Sequence, residues 1–384
     1  MFYKKVFVLC LLVSLIGSRI AEPQLALARP QAALSGAWQI ETIDRAPGNE
    51  DTPGILRYPS LAIGSDRVPQ VMYSAGLEET SNPLVYARKD GSSWITQTIE
   101  VLGEKPSLAL SSQQQPRVAF FDFAGDETLV FRNLDIAGGF RQVITTSIGS
   151  PQATADLVIS SDDQAQIVFT QKAAGNNFAL MLATQTVPTW TVNSVFTNVG
   201  SIASIALDSA NQVHLSYEDA PSRTVKYAMR TPSGWLTETV SDPDESVIRI
   251  FIPSSIAVDA NMTPHIVYVS YLRQELLYAK RVNNVWIKEK VANANLGFSF
   301  ALDKDGNPHV AYIQPGAPAK PIYAVRTNNT WVTSTVSNDD IVYISLALDP
   351  SGQPAIAYTE FDTGNLKLAR LLRGLVYLPL ARKP

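Results

Sequence analysis

The chain has almost no cysteine: Cys10 is the single one among 384 residues. It lies within an apolar run, residues 6–16, that follows Lys4 and Lys5. The run is too short to span a bilayer and has the form of a secretory signal, with Ala26-Leu27-Ala28 as an A-x-A cleavage site. We therefore expect residues 1–28 to be a signal peptide and the mature protein to be secreted or held at the cell surface. Such a mature chain has no disulfides and no thiol chemistry. A chain this long buries enough core to need no cross-links.

Basic excess is also missing. Lys and Arg number 31 against 35 Asp and Glu, a net charge of −4. Loss of residues 1–28 removes Lys4, Lys5, Arg19 and Glu22 and leaves −6. A mildly acidic chain without a basic stripe is no nucleic-acid binder. Neither a glycine-rich phosphate loop nor a second apolar span is present, so we expect no cofactor and no transmembrane segment in the mature chain. Helical periodicity is absent over any useful length, which leaves an all-β class.

What is present is a repeat. Its copies begin at Ser60, Ser107, Asp156, Ser204, Ser255, Ser299 and Ser345, at spacings of 44 to 51 residues. Thirteen residues into each copy stands an aromatic: Tyr73, Phe120, Phe169, Tyr217, Tyr268, Tyr312, Tyr358. An aliphatic residue stands two positions before each, the period of a strand. The third position is Ala62, Ala109, Val158, Ala206, Ala257, Ala301 or Ala347. Alanine runs against strand propensity, so packing selects it where strands converge. A last strand opens with Trp94, Phe140, Trp190, Trp235, Trp286 or Trp331, a position that suits packing between neighbouring sheets.

The seventh copy stops before its Trp. Trp38, ahead of the first copy, supplies the missing strand. The period fits a seven-bladed β-propeller of four-stranded blades over residues 37–370, closed by the strand at Trp38. We expect a monomer. Residues 371–384 form a C-terminal tail, apolar then basic, that is either a sorting or anchoring signal or a segment packed on the last blade.

Strand order assigns two faces. Short Asp- and Asn-rich turns, such as those at Asp303, Asp305 and Asn283, lie on one face, the bottom, and are explained by turn chemistry. The spacing around Asp303 and Asp305 is not that of a calcium loop. Longer connections lie on the top, where function tends to sit. They carry Arg57, Tyr58, Lys105, Arg249, Asp339, Asp340 and Tyr343. Asp122, Glu218, Asp219, Tyr271 and Glu360 end strands there, and Arg273 follows. Carboxylates, arginines and tyrosines of this kind suit an anionic or polyhydroxylated ligand.

His214, His265 and His309 share one repeat position. Equivalent sites on neighbouring blades stand about 10 Å apart, whereas zinc ligands lie about 2 Å from the metal. We expect structural histidines and no metal site. No histidine lies on the top face to serve a nucleophile.

The unit at residues 299–331, S-F-A-L-D-K-D-G-N-P-H-V-A-Y followed by Y-A and W, resembles the repeats of uncharacterised secreted bacterial propellers. More distantly it looks like sialidase and seven-bladed lectin propellers. The sialidase box S-x-D-x-G-x-x-W is not matched, since the turn before Trp94 reads R-K-D-G-S-S-W. The sialidase likeness implies an arginine trio, Arg57, Arg249 and Arg273, with Tyr58 or Tyr271 as nucleophile beside Glu218. The expectation from sequence is a non-catalytic recognition module binding glycan or protein on its top face. The alternatives are a glycan-cleaving enzyme using two carboxylates, and a structural cell-surface protein.

Overall fold

In the computed structural model, the described residues are 36–47, 54–76, 82–123, 127–134, 140–146, 148–150, 152–173, 177–187, 189–242, 254–294 and 296–373. The expected signal peptide, Arg249 and residues 374–384 lie outside them. Among the described residues, all 27 elements are strands. β1 (Gly36–Asp44) precedes the repeats. Repeat 1 holds β2 (Ile55–Ile63), β3 (Pro69–Gly76), β4 (Leu84–Asp90) and β5 (Ser93–Glu100). Repeat 2 holds β6 (Glu104–Leu110), β7 (Pro116–Asp122), β8 (Thr128–Asn133) and β9 (Phe140–Thr145). Repeats 3 and 4 run through β10 (Ala155–Ile159), β11 (Ala165–Lys172), β12 (Phe178–Thr186), β13 (Thr189–Leu207), β14 (Val213–Asp219), β15 (Thr224–Thr231) and β16 (Gly234–Thr239). Repeat 5 holds β17 (Ser255–Val258), β18 (Pro264–Ser270), β19 (Glu275–Val282) and β20 (Val285–Ala292). Repeat 6 holds β21 (Phe298–Leu302), β22 (Pro308–Gln314), β23 (Lys320–Thr327) and β24 (Thr330–Thr335), and repeat 7 has β25 (Ile341–Leu348), β26 (Pro354–Glu360) and β27 (Leu366–Arg373).

These strands form antiparallel four-stranded blades of an all-β propeller. Five sheets have four strands; the sixth has seven, where the sequence leads one to expect two sheets of four. The cause is β13, which stays extended from the outer edge of repeat 3 to the inner edge of repeat 4. Its first part pairs with β12, its last part with β14, and Val199 pairs with both Phe178 and Asp219.

Repeat 7 contributes three strands, and β1 completes its sheet, with Trp38 opposite Leu371. Trp38 also packs edge-on against Tyr323, centroids 5.5 Å apart, as Trp286 does against Tyr227 at 5.4 Å and Trp331 against Tyr278 at 5.5 Å. The tryptophans are inter-blade packing.

The inner strands touch in a closed cycle: β2, β6, β10, the end of β13, β17, β21, β25 and β2 again. A belt of hydrogen bonds follows it. Ser60 Oγ accepts from the Leu108 amide at 2.9 Å, Ser107 from Leu157 at 3.0 Å, Ser299 from Leu346 at 2.9 Å and Ser345 from Leu61 at 3.1 Å. Asp156 takes the serine's place in repeat 3 and accepts from Ser107 Oγ, Ser204 Oγ and the Ile205 amide. The opening residues of repeats 1, 2, 3, 4, 6 and 7 are therefore latches to the next, the bond from the Ile256 amide to Ser204 being the longest at 3.4 Å.

Each inner strand ends in the same turn. The residues seven positions after the repeat starts, Arg67, Gln114, Asp163, Asn211, Met262, Gly306 and Gly352, all have φ between 60° and 78°. Asp208, Asp259, Asp303 and Asp349 open four of these turns, each accepting two amides of its own turn. That is the turn chemistry expected of Asp303.

Candidate functional site

On the top face, Pro59 and Pro106 interrupt the inner strands, since proline has no N–H for the ladder. The register slips between Arg57 and Ser60, and between Glu104 and Ser107. Tyr58 and Lys105 are the displaced residues, at φ 53° and 50°, where L side chains are rarely found. Bulges of this kind re-aim side chains. Here Tyr58 meets Tyr343 of repeat 7, centroids 4.8 Å apart, and Lys105 Nζ lies 6.0 Å from the Tyr58 ring centroid. Lys105 also donates to the Ala153 carbonyl of repeat 3 at 3.1 Å. The group thus runs across four successive repeats. Burial brings the Lys105 ammonium down to about 8, against the opposing charges of Glu104 and Glu127.

Along β25 from Tyr343, a cavity of about 400 Å³ opens between repeats 6 and 7. Ala317 and Pro318 form one side; Asp339, Asp340, Glu360 and Asp362 supply four carboxylates, with Asn338 and Thr363 beside them. Lys367 Nζ is 3.2 Å from Asp339 and also pairs with Glu360, so one ammonium serves two acids. Tyr358 donates to Asp339 at 2.8 Å, and Thr363 to Glu360 at 2.6 Å. Burial opposes ionisation of Asp339, but bonds from Tyr358 and Lys367 outweigh it and hold its carboxyl below the usual range. Asp340 accepts from the Ala319 amide at 2.8 Å. Phe361, between Glu360 and Asp362, is 60% exposed.

The residues singled out from sequence separate on this frame. Tyr58, Lys105 and Tyr343 meet, and Glu360 joins Asp339 and Asp340. Asp122 instead pairs with Arg141 at 2.6 Å, in a network with Glu100 and Arg132. Asp219 accepts the Ser222 amide at 3.0 Å and closes its own loop. Glu218 lies on Gly200, where an added Cβ would stand 2.3 Å from its Oε2. Tyr271 and Arg273 are exposed in the β18–β19 loop. Arg57 sits in repeat 1, far round the cycle from Arg273 in repeat 5.

Asp122, Glu218, Asp219 and Glu360 belong to repeats 2, 4, 4 and 7, none of which are neighbours. Glu218 and Asp219 are consecutive in β14 and point to opposite faces of its sheet. Asp339 and Glu360 do adjoin, with Lys367 paired to both. Sequence reasoning missed Phe361, Asp362 and Lys367. The run E-F-D-T at residues 360–363 was a visible signal, an aromatic between acids on a top loop.

The histidines are buried and structural. His214 contacts Tyr227 Oη at 2.8 Å and Asp208 at 3.4 Å; His265 contacts Tyr278 Oη at 2.6 Å and Asp259 at 3.2 Å. His309 contacts Tyr323 Oη at 2.5 Å. Burial lowers the pKa of all three. Gln70 holds this position in repeat 1 and accepts from Tyr86 at 2.6 Å. Among the described residues, no group of three or more His, Cys, Asp or Glu could hold a metal, and no helix is long and apolar enough to cross a membrane.

No protein-family model matches the chain. No curated protein matches it in sequence. Solved structures do share its fold. A catalytically inactive virginiamycin B lyase from Staphylococcus aureus, crystallised with quinupristin, is 11% identical; the match covers 87% of this chain and 100% of that one, with a TM-score of 0.55. The fucose-recognising Aleuria aurantia lectin, a six-bladed propeller, is 12% identical over 78% of this chain and 97% of its own, with a TM-score of 0.51. AofleA from Arthrobotrys oligospora is 10% identical over 80% and 90%, also at 0.51. At these identities the likeness is one of fold.

Proposed function

We propose that this chain is a secreted, non-catalytic, glycan-binding propeller of seven blades, with its ligand in the top cavity between repeats 6 and 7. The blade count rests on the seven inner strands in the cycle, with the seven-stranded sheet taken as two blades sharing β13. Secretion rests on the signal-like residues 1–28.

The observation that carries the binding assignment is the cavity itself. Its volume falls within the range of ligand pockets, roughly 300–1,000 Å³. Carboxylate, amide and hydroxyl groups accept and donate to sugar hydroxyls, and exposed Phe361 offers a platform for the apolar face of a pyranose. Four carboxylates against one lysine favour neutral or amine-bearing sugars over uronic and sialic acids. Lectins sharing the fold support the reading at the level of architecture.

A glycan array with the mature protein, followed by calorimetry on any retained sugar, tests it. Phe361→Ala and Asp362→Asn are expected to weaken binding by about tenfold or more, roughly 1.4 kcal/mol each, while Tyr271→Ala leaves it unchanged. Retention that ignores both substitutions, Asp362 in the cavity lining and Phe361 beside it, removes this site. No retention at all moves the protein to a structural or protein-binding role.

A further inference from the structure

On the face opposite the proposed glycan site, a second cavity of about 410 Å³ opens at the ends of the inner strands. Its walls come from repeats 6, 7, 1 and 2, which are consecutive in the inner-strand cycle. It is therefore the bottom mouth of the central channel. Leu302, Leu348, Ile63 and Leu110 line it, and all four occupy one repeat position, three residues after the repeat start. None is fully buried. Ile63 and Leu348 each lean on the packing between blades while still lining the cavity. The remaining repeats have Ile159, Leu207 and Val258 at this position, also half-buried. The four that line the cavity form an apolar collar.

The rim above the collar is acidic and braced. Asp303 and Asp349 line the cavity. Burial opposes their ionisation, but bonds from Asn307 to Asp303, and from Ser351 and Gln353 to Asp349, hold both carboxyls below the usual range. Lys304, the one cation in the lining, is engaged by Asp305 next to it, at 2.7 and 2.9 Å; outside the lining, Arg67 stands 4.0 Å from Asp349 and His309 3.5 Å from Asp303. Neighbouring turns brace one another: Gln114 accepts the Ser65 amide at 2.7 Å, and Gly352 packs on Asp303. Apolar walls below and fixed negative charge above define the complement of one kind of ligand.

We propose that the bottom mouth of the channel binds a primary alkylammonium, its tail in the aliphatic collar and its charge against Asp303 and Asp349. This site is independent of the glycan cavity. The test uses the full mature chain with labelled Ile and Leu methyl groups, titrated separately with n-hexylammonium, hexanol and hexanoate to about 10 mM, where millimolar binding saturates. Hexylammonium is expected to shift the methyl signals of Ile63, Leu110, Leu302 and Leu348 saturably, and to bind at least about tenfold more tightly than hexanoate. Asp349→Asn, which keeps an acceptor for the Ser351 and Gln353 amides, is expected to narrow the preference for hexylammonium over hexanol. Leu110→Asn, with a thermal melt to verify folding, weakens all three probes. No shift at these four residues overturns the proposal, as does equal binding of hexanoate.

Discussion

Tyr73 donates its phenolic hydrogen to Asp44 Oδ2 across 2.5 Å, tying the first repeat to the strand that precedes it. Tyr73 is fully buried, and burial, with Asp44 adding to it, raises its pKa, so the donor stays protonated. Lys89 of repeat 1 pairs with Glu41 of β1 in the same way. β1 is meanwhile the outer strand of the repeat 7 sheet. One nine-residue strand thus holds the last repeat against the first.

Removing residues 36–44 is expected to leave β27 as an unpaired edge and to produce an unfolded or self-associating protein. Tyr73→Phe is the mild version, losing one hydrogen bond to a carboxylate at a cost of about 1–3 kcal/mol. Size-exclusion chromatography and urea titration read both. A truncated chain that remains monomeric with its original melting temperature refutes closure by β1.

Acid lability should trace in part to His265. Burial holds its pKa at about 4, Lys280 and Arg326 adding to the effect and Asp259 opposing it. Unfolded histidine titrates near 6.5. A depressed pKa means the stability contribution is full above about pH 6.5 and lost as pH falls toward 4, on the order of 3 kcal/mol in all. His265→Gln copies Gln70 and keeps an acceptor for Tyr278 while removing the titration. Its melting temperature is expected to fall less than that of the wild type between pH 7 and pH 4.5. Parallel pH profiles for the two proteins would assign the lability elsewhere.

Met262 adopts φ 60° at a position that repeats 6 and 7 fill with glycine, and it is 55% exposed. Met262→Gly relieves the left-handed strain, about 1–2 kcal/mol, against the added freedom of the unfolded chain. A net gain of about 0.5–1 kcal/mol is expected, seen as a higher urea midpoint. Gly306→Ala should move the midpoint the other way.

The ring was legible because its parts recur. Trp38 could be matched to Trp286 and Trp331 by type and neighbourhood alone, and β1 does take the place of a fourth strand. The hydroxyl latches were half legible: serine at the start of six repeats marks a constrained position, but only the packed sheets show Ser60 reaching Leu108. The fusion through Val199 was hidden, because residues 198–202 carry no proline to force a break.

The candidate site was harder to read. Asp339, Asp340 and Glu360 stand out as top-face acids, yet their common cavity depends on how two loops of different repeats meet. Lys367 looked like an ordinary strand residue until its ammonium was seen between Asp339 and Glu360. Tyr58 and Lys105 converge because each precedes a proline at the same repeat position, a pattern visible in the sequence once the repeats are aligned.

The pairing of β1 with β27 also sets an order of events. The first strand of the ring to be synthesised is the last to find its neighbour, since its partner ends at Arg373. At about 5–20 residues per second, roughly 330 residues of synthesis separate them by some tens of seconds. Throughout that interval Trp38 has no sheet to join, and every repeat made so far is an open arc with two raw edges.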